Sequence, residues 1–163
     1  MIYNSRIPDD AKVELRKLQQ KFSWSDDQLD YLIACMAFES NLNPQAVNKT
    51  SKAVGLIQFM PTICKVYGTT SEEMLKRSFA EQIPYIEKHF KPYYKRTKTL
   101  SDTYMAILMP KYIGYEEDAV LFFDPNLNYK QNKGLDLDKN GKITKREAAS
   151  LVQKRYERGL QDV

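Results

Sequence analysis

Hydrophobic residues recur along most of the chain at the three- and four-residue spacing of helices that bury one face. The segment 9–22, DDAKVELRKLQQKF, follows Pro8 and carries an approximate apolar stripe, which predicts a first helix. A second helix is predicted after Ser25, because Ser25 and Gln28 have the spacing of a capping box and a long apolar face follows. Asn41 and the residues after it end this pattern.

The polar stretch 43–60 contains only one apolar run, VGLIQFM, and predicts an extended loop or a small irregular hairpin. Five short helices are predicted beyond it: one begun by Pro61 and closed by Gly68, one capped by Ser71, one begun by a Ser78–Glu81 capping box and bent at Pro84, one capped by Ser101 and stopped by Pro110, and one over 115–123, YEEDAVLFF. No segment shows the alternation of a strand. The predicted fold class is therefore all-α with one irregular loop.

The composition of the chain changes near residue 125, where the polar and turn-prone stretch NLNYKQNKG begins. At 163 residues, with 42% hydrophobic and 28% charged residues, the chain is long enough for one substantial core and a small appendage. We therefore predict a main helical domain over 1–125 and a small C-terminal module over 126–163.

Composition also excludes several classes of protein. No apolar run approaches the roughly 20 residues of a membrane-spanning helix, and MIYNSRIPDDAK lacks the pattern of a signal peptide, so we expect a soluble protein without membrane insertion. The net charge of +4 is mild, and the basic residues are spread over the predicted helices, so no nucleic-acid partner is expected. Cys35 and Cys64 lie in apolar settings and are expected to be buried free thiols.

Glu39 interrupts the apolar face of the second predicted helix. It follows Leu32 by seven residues and Met36 by three, so all three side chains project from nearly the same side. Periodicity alone leaves three interpretations: the helix frays before Glu39, the carboxylate forms a buried ion pair, or it faces a cleft as a general acid. In the last case desolvation disfavours the ionised form and keeps the proton on the group near neutral pH.

The sequence after Glu39 resembles a known family. The pair Glu39-Ser40 ends an apolar helix, GLIQFMP follows at 55–61 on a polar loop, and YGTT and EQIPYIEKHF come next. This ordered set resembles the catalytic domain of the soluble lytic transglycosylase family over about residues 22–113. The resemblance implies a lysozyme-like helical fold that cleaves the glycan of bacterial cell walls, with Glu39 as the catalytic residue.

The residue types of the motif allow both binding and structural roles. Gly55 lets the backbone approach a sugar ring or turn sharply. Gln58 offers an amide donor and acceptor to aminosugars, or is a surface glutamine. Phe59 and Met60 line a sugar subsite or fill the core beneath it, and Ser40 bonds near the acid or caps its helix end.

The family's third motif, often Ala-Tyr-Asn-Ala-Gly with its tyrosine directed at the glutamate, is altered in this chain. The corresponding residues 103–107 are TYMAI, with Met105 and Ile107 in place of asparagine and glycine. The resemblance carries Tyr104 over as the partner of Glu39, and Tyr112 is a competing candidate.

The type of reaction depends on whether a second carboxylate lies near Glu39. Most glycosidases use two, yet the stretch 40–70 contains no acid. A lytic transglycosylase needs only one, because the substrate's N-acetyl group assists and the muramyl 6-hydroxyl attacks to give a 1,6-anhydro product. Asp102 or Glu116 folding back into the cleft would favour hydrolysis, as in the goose-type lysozymes that share the scaffold.

The segment 136–147, DLDKNGKITKRE, resembles the twelve-residue loop of an EF-hand. Oxygen ligands stand at alternate positions, glycine stands at the sixth and glutamate at the twelfth, which is the pattern that calcium requires. The predicted Ca²⁺ ligands are Asp136, Asp138, Asn140, Lys142 through its carbonyl, Thr144 and Glu147. A helix follows the loop but KQNKG before it is not helical, so we expect half of an EF-hand that anchors the last helix. The alternative is an Asx-turn leading into a capped helix.

Together these features predict a peptidoglycan lytic transglycosylase with a structural calcium ion. Two alternatives remain: a hydrolytic lysozyme on the same scaffold, and a non-enzymatic calcium-binding virion protein with a degenerate lysozyme fold. Without a signal peptide, a phage-encoded protein is expected to reach the periplasm or cell wall as a tail or virion component, with other virion proteins as partners, or through a holin. Injection as a bacterial effector is also compatible.

Overall fold

Helices form most of the computed structural model, which describes residues 1–163. There are eight α-helices: α1 (Asp9–Phe22), α2 (Asp26–Ser40), α3 (Pro61–Val66), α4 (Ser71–Lys76), α5 (Phe79–Phe90), α6 (Leu100–Leu108), α7 (Leu127–Gln131) and α8 (Lys145–Gly159). Short 3-10 turns lie at Asn4–Arg6, Pro110–Tyr112 and Lys133–Leu135. The predicted all-helical fold class is confirmed, with one small sheet added.

The first two helices follow the local signals of the sequence. The bounds of α1 are those predicted, and both hydrogen bonds of the Ser25–Gln28 capping box begin α2. Asn41 ends α2 in the left-handed conformation, which lets its N–H bond back to the last turn. The Ser78–Glu81 capping box begins α5 as predicted. The bend at Pro84 stays a prediction.

Two predicted helix caps were wrong by one or two residues. Thr70, not Ser71, caps α4, because its hydroxyl accepts the N–H of Glu73 at 3.1 Å. Thr99, not Ser101, caps α6 in the same way, and Ser101 lies inside the helix. In both cases a threonine with similar ability to cap stands one or two residues before the serine.

The helix predicted over 115–123 was wrong. Residues Val120–Phe123 form strand β1, which pairs antiparallel with β2 (Lys142–Thr144) inside residues 136–147, the C-terminal acidic loop. Leu121 and Phe122 are buried while their neighbours in the strand are exposed, so the burial pattern lacks the alternation by which a strand is identified. A register irregularity between Val120 and Phe122 accounts for the adjacent buried pair.

The polar stretch after α2 is a small irregular hairpin, one of the two predicted alternatives. Val54 forms isolated antiparallel bridges to both Val47 and Phe59. The GLIQFMP motif therefore forms the turn between Val54 and Phe59 and ends at Pro61, the first residue of α3.

One hydrophobic core includes residues from both sides of residue 125. Helix α8 packs against α2 and α6, and its Ala148 and Val152 belong to the same cluster as Leu32 and Met36. The division into 1–125 and 126–163 stays a prediction, but α8 is an integral part of the core. Both cysteines are buried and free, as predicted. None of the helices has the length and hydropathy to cross a membrane.

Candidate active site

Glu39 is the penultimate residue of α2, where the buried face of the helix reaches the surface. Its side chain is partly exposed, and most of its surroundings are protein rather than water. This burial raises the pKa of Glu39 to about 7, and the nearby hydroxyl of Tyr104 lowers it in part. A carboxyl group with such a pKa holds a proton at neutral pH and can also release it, as a general acid and base must.

The carboxyl group of Glu39 lines an open cleft of about 750 Å³. The other lining residues come from the hairpin, from the end of α6 and from the end of α7: Asn48, Thr50, Ser51, Ala53, Ile57, Gln58, Met60, Ile107, Leu108, Gln131 and Asn132. Glu39 is the only acid among them, and no basic residue lines the cleft. The cleft therefore offers one proton donor, several neutral polar groups and apolar contacts, a combination suited to the hydroxyl and amide groups of a sugar chain.

Ser40 and Gly55 support the cleft from beneath rather than lining it. The Ser40 hydroxyl lies 2.9 Å from the carbonyl oxygens of both Met36 and Leu56, which ties the end of α2 to the motif loop. Gly55 has φ +81°, and a Cβ there would meet Oε1 of buried Gln82 at 2.6 Å. The glycine is thus required for close packing against Gln82 within the protein. The close approach to a sugar ring, one of the two roles predicted from the sequence, is not what this contact shows.

Gln82 is a supporting residue that the sequence interpretation missed. It is fully buried in α5, where its Oε1 accepts the N–H of Leu56 at 3.0 Å and its Nε2 donates to Pro44 and Met74 carbonyls at 2.7 and 3.1 Å. It therefore holds both ends of the hairpin. Gln82 follows buried Phe79 by three residues, so a polar residue in an apolar stripe, the signal that identified Glu39, was also present here.

The remaining motif residues divide between the cleft and the core. Gln58 and Met60 line the cleft with Glu39, whereas Phe59 is buried edge-on against Tyr67 and His89. Gln58 has φ +58°, and its Nε2 donates to the Gly55 carbonyl at 3.0 Å. The amide nitrogen of Gln58 therefore stabilises its own turn, and its Oε1 has no hydrogen-bond partner within the protein.

The two candidate tyrosines lie in different places. Tyr104 is buried in α6, edge-on to Phe38 with ring centroids 5.6 Å apart, and the pKa of its hydroxyl is raised by burial and by Glu39. Tyr112 packs against Tyr115 with centroids 5.0 Å apart and does not line the cleft. The structure thus brings Tyr104, and not Tyr112, to the acid.

The two acids that could have joined Glu39 lie elsewhere. The carboxylate of Asp102 is buried and pairs with Nζ of Lys145 at 2.7 Å, while also accepting the N–H of Gly114 at 2.8 Å. Glu116 is exposed outside the cleft. Asp102 is therefore part of a structural ion pair between α6 and α8.

The C-terminal acidic loop brings three carboxylates together. Ligand oxygens of Asp136, Asp138 and Glu147 lie within 4.8 Å of one another, and no lysine or arginine forms an ion pair with them. Gly141 at the sixth position has φ +81°, and its N–H donates to Oδ2 of Asp136 at 3.0 Å. Asn140, which precedes Gly141, donates a hydrogen bond from its Nδ2 to Oδ2 of Asp138 at 3.0 Å.

Two further predicted ligands, Lys142 and Thr144, belong to strand β2 within this loop. Lys142 begins β2 and is exposed, while Thr144 caps α8 with its hydroxyl 3.2 Å from Oε1 of Glu147. Before the loop, the short helix α7 stands where we had expected no helix. Its Tyr129 donates to Oδ2 of Asp136 at 2.6 Å, and this bond raises the pKa of the tyrosine to about 12.

A glutamate whose pKa is raised by desolvation at the wall of an open cleft is the form in which lysozyme holds its proton donor. The family model described as phage tail lysozyme matches residues 12–162, and the chain belongs to this family. It is therefore a lysozyme-like protein of the class that cleaves bacterial peptidoglycan. The match runs from α1 into the residues after α8, so the family includes the C-terminal segment. No match was found among curated proteins.

Proposed function

We propose that the protein is a peptidoglycan lytic transglycosylase that cleaves the MurNAc-β-1,4-GlcNAc bond with Glu39 as acid and then base. One observation carries this proposal: Glu39 is the only carboxylic acid that lines the cleft, and its pKa of about 7 suits both roles. A mechanism that requires a second carboxylate as nucleophile or base finds none among the residues that line the cleft.

Glu39 first donates its proton to the glycosidic oxygen while the bond from that oxygen to C1 of MurNAc breaks. The carbonyl oxygen of the substrate's N-acetyl group forms a bond to C1 in its place. Ionised Glu39 then removes the proton of the muramyl 6-hydroxyl, whose oxygen attacks C1 and displaces the acetamido oxygen. The product is a 1,6-anhydro sugar, and Glu39 is protonated again for the next cycle.

Tyr104 and the apolar cleft wall have supporting roles in this cycle. The Tyr104 hydroxyl stabilises the ionised form of Glu39, which is needed for the second step. Ile57, Ile107 and Leu108 exclude part of the water from the acid and keep its pKa high for the first step. The two influences oppose each other and hold the pKa of Glu39 near neutrality.

A hydrolytic lysozyme on the same scaffold is the second candidate, favoured by the description of the family as a lysozyme. Mass spectrometry of purified peptidoglycan digested by the wild-type protein distinguishes the two. Sugar ends lighter than reducing ends by one water are expected from the transglycosylase. Reducing ends would establish hydrolysis, and an intact polymer would establish a non-enzymatic virion protein.

We also propose that the loop 136–147 binds a structural calcium ion. The donor set fits, because three carboxylates converge without a cationic partner, and an ion that offsets their repulsion would stabilise the loop. Calcium at 100 times its Kd should add about 2.7 kcal/mol to the free energy of unfolding. The melting temperature is expected to rise with calcium over chelator in the wild type and not in Asp136→Ala. Equal melting temperatures of the wild type would refute calcium binding.

The family description also supports a place for the protein in the phage tail. We propose that it acts on peptidoglycan in the periplasm or at the cell wall as a virion component. Probing purified virions with an antibody against the chain tests this proposal. Its absence from intact particles would favour release through a holin.

A further inference from the structure

We infer that Gln131 and Asn132, at the end of α7, form a glycan-binding wall of the Glu39 cleft. This inference rests on the proposed function and adds residues from the C-terminal segment to the substrate site. Both residues line the same cleft as Glu39 although they are far from it in sequence. They lie beyond the segment 22–113 on which the resemblance to transglycosylases depends.

The hydrogen bonding of the cleft amides distinguishes Gln131 from the others. Asn48 accepts the N–H groups of Thr50 and Ser51 at its Oδ1, and Gln58 donates through Nε2 to two carbonyls of its own loop. Gln131 is exposed, and its side chain makes no hydrogen bond within the protein. Both its donor and its acceptor are therefore free for a ligand.

Asn132 complements Gln131 at the same wall. Its Nδ2 donates to the Asn128 carbonyl at 2.9 Å, which fixes the side chain and leaves Oδ1 as an acceptor. An N-acetylated sugar carries one amide N–H, one amide carbonyl and several hydroxyls. Two adjacent amides, one fixed and one free, match this set of donors and acceptors.

The wall is held in place by contacts outside the cleft. Tyr129 is buried, and its hydroxyl donates to Asp136 at 2.6 Å. The N–H of Asn132 donates to the carbonyls of Asn128 and Tyr129 at 3.1 and 3.0 Å. Because these bonds exist before any sugar arrives, little ordering of the segment is needed on binding.

The test is the affinity of catalytically inactive protein for a defined probe, peptide-free soluble glycan strands of peptidoglycan, measured by calorimetry. The Glu39→Gln protein provides the reference Kd. Adding Gln131→Ala should weaken binding about three- to tenfold, the value of one or two hydrogen bonds, and adding Asn132→Ala should weaken it similarly. Lys130→Ala is the matched control, since Lys130 is exposed on the same helix and does not line the cleft.

Gln131→Ala is the decisive variant, because it removes no hydrogen bond within the protein and should leave the melting temperature unchanged. An unchanged Kd in this variant would overturn the inference. If Glu39→Gln kept wild-type lytic activity, or did not bind the glycan at all, the proposed function itself would fail. If the glycan binds Glu39→Gln with the same Kd whether or not Gln131→Ala is added, only the assignment of the glycan-binding wall is refuted.

Discussion

The desolvated carboxyl group of Glu39 should make the stability of the protein depend on pH in a way that replacement by glutamine removes. The pKa of Glu39 is raised from 4.5 to about 7, so between these values the folded state holds a proton that the unfolded chain has released. Because the unfolded state binds fewer protons, the free energy of unfolding falls as pH rises through this interval and levels off above about 7. A glutamine at this position is neutral at every pH, so the Glu39→Gln protein does not lose this free energy of unfolding as pH rises.

The magnitude follows from the size of this rise in pKa. One pKa unit corresponds to about 1.4 kcal/mol, and water in the open cleft screens part of the effect, so Glu39 should cost the folded state about 2–3 kcal/mol at pH 8. At this pH the Glu39→Gln protein is therefore expected to have a free energy of unfolding higher than that of the wild type by the same amount. For a chain of this length the melting temperature would rise by about 5–10 °C.

Urea denaturation of both proteins from about pH 4 to about pH 8 measures this difference. The two free energies of unfolding should agree near pH 4, and the Glu39→Gln protein should become the more stable one as pH rises. Glu116→Gln, at an exposed acid outside the cleft, is the matched control and should follow the wild type. Parallel wild-type and Glu39→Gln curves over the whole range would refute the argument that burial keeps Glu39 protonated.

Three further predictions concern the buried ion pair, the motif loop and the tyrosine beside Glu39. Lys145→Ala leaves buried Asp102 without its cation and should lower the free energy of unfolding by about 3–5 kcal/mol in urea; a loss below about 1 kcal/mol would contradict the ion pair's role. Gly55→Ala places a Cβ 2.6 Å from a buried amide at φ +81° and should cost at least about 1 kcal/mol, with lytic activity reduced as the hairpin shifts. Unchanged stability would show that the hairpin adapts. Tyr104→Phe removes the hydroxyl that lowers the pKa of Glu39, so the decline of activity at alkaline pH should move to higher pH; an unmoved profile would argue against this contact.

Sequence signals predicted those parts of the fold that depend on neighbouring residues. The capping box of Ser25 and the left-handed Asn41 set the bounds of α2, and periodicity then placed Glu39 on its buried face. Strand β1 was missed because its partner lies far along the chain, inside the acidic loop, and its two buried residues are adjacent. Tertiary contacts, and not local propensity, determine that Val120–Phe123 forms a strand rather than a helix.

The same distinction applies to the candidate site. Glu39 and Gln58 were identified from a pattern and a motif, and both line the cleft. Asn48 and Gln131 are single polar residues at a loop and a helix end, where no periodicity marks a face, so only the folded chain reveals them. Gln82 could have been found, because it interrupts an apolar helical stripe in the same way as Glu39.

The lytic activity of Glu39→Gln on purified peptidoglycan, followed by release of soluble glycan, tests the central claim most directly. Glutamine keeps the size of the side chain but cannot supply the proton. The rate is expected to fall by roughly 10²-fold or more, while circular dichroism shows an intact helical fold. A folded Glu39→Gln protein that cleaves peptidoglycan at the wild-type rate would contradict the assignment of Glu39 as the acid.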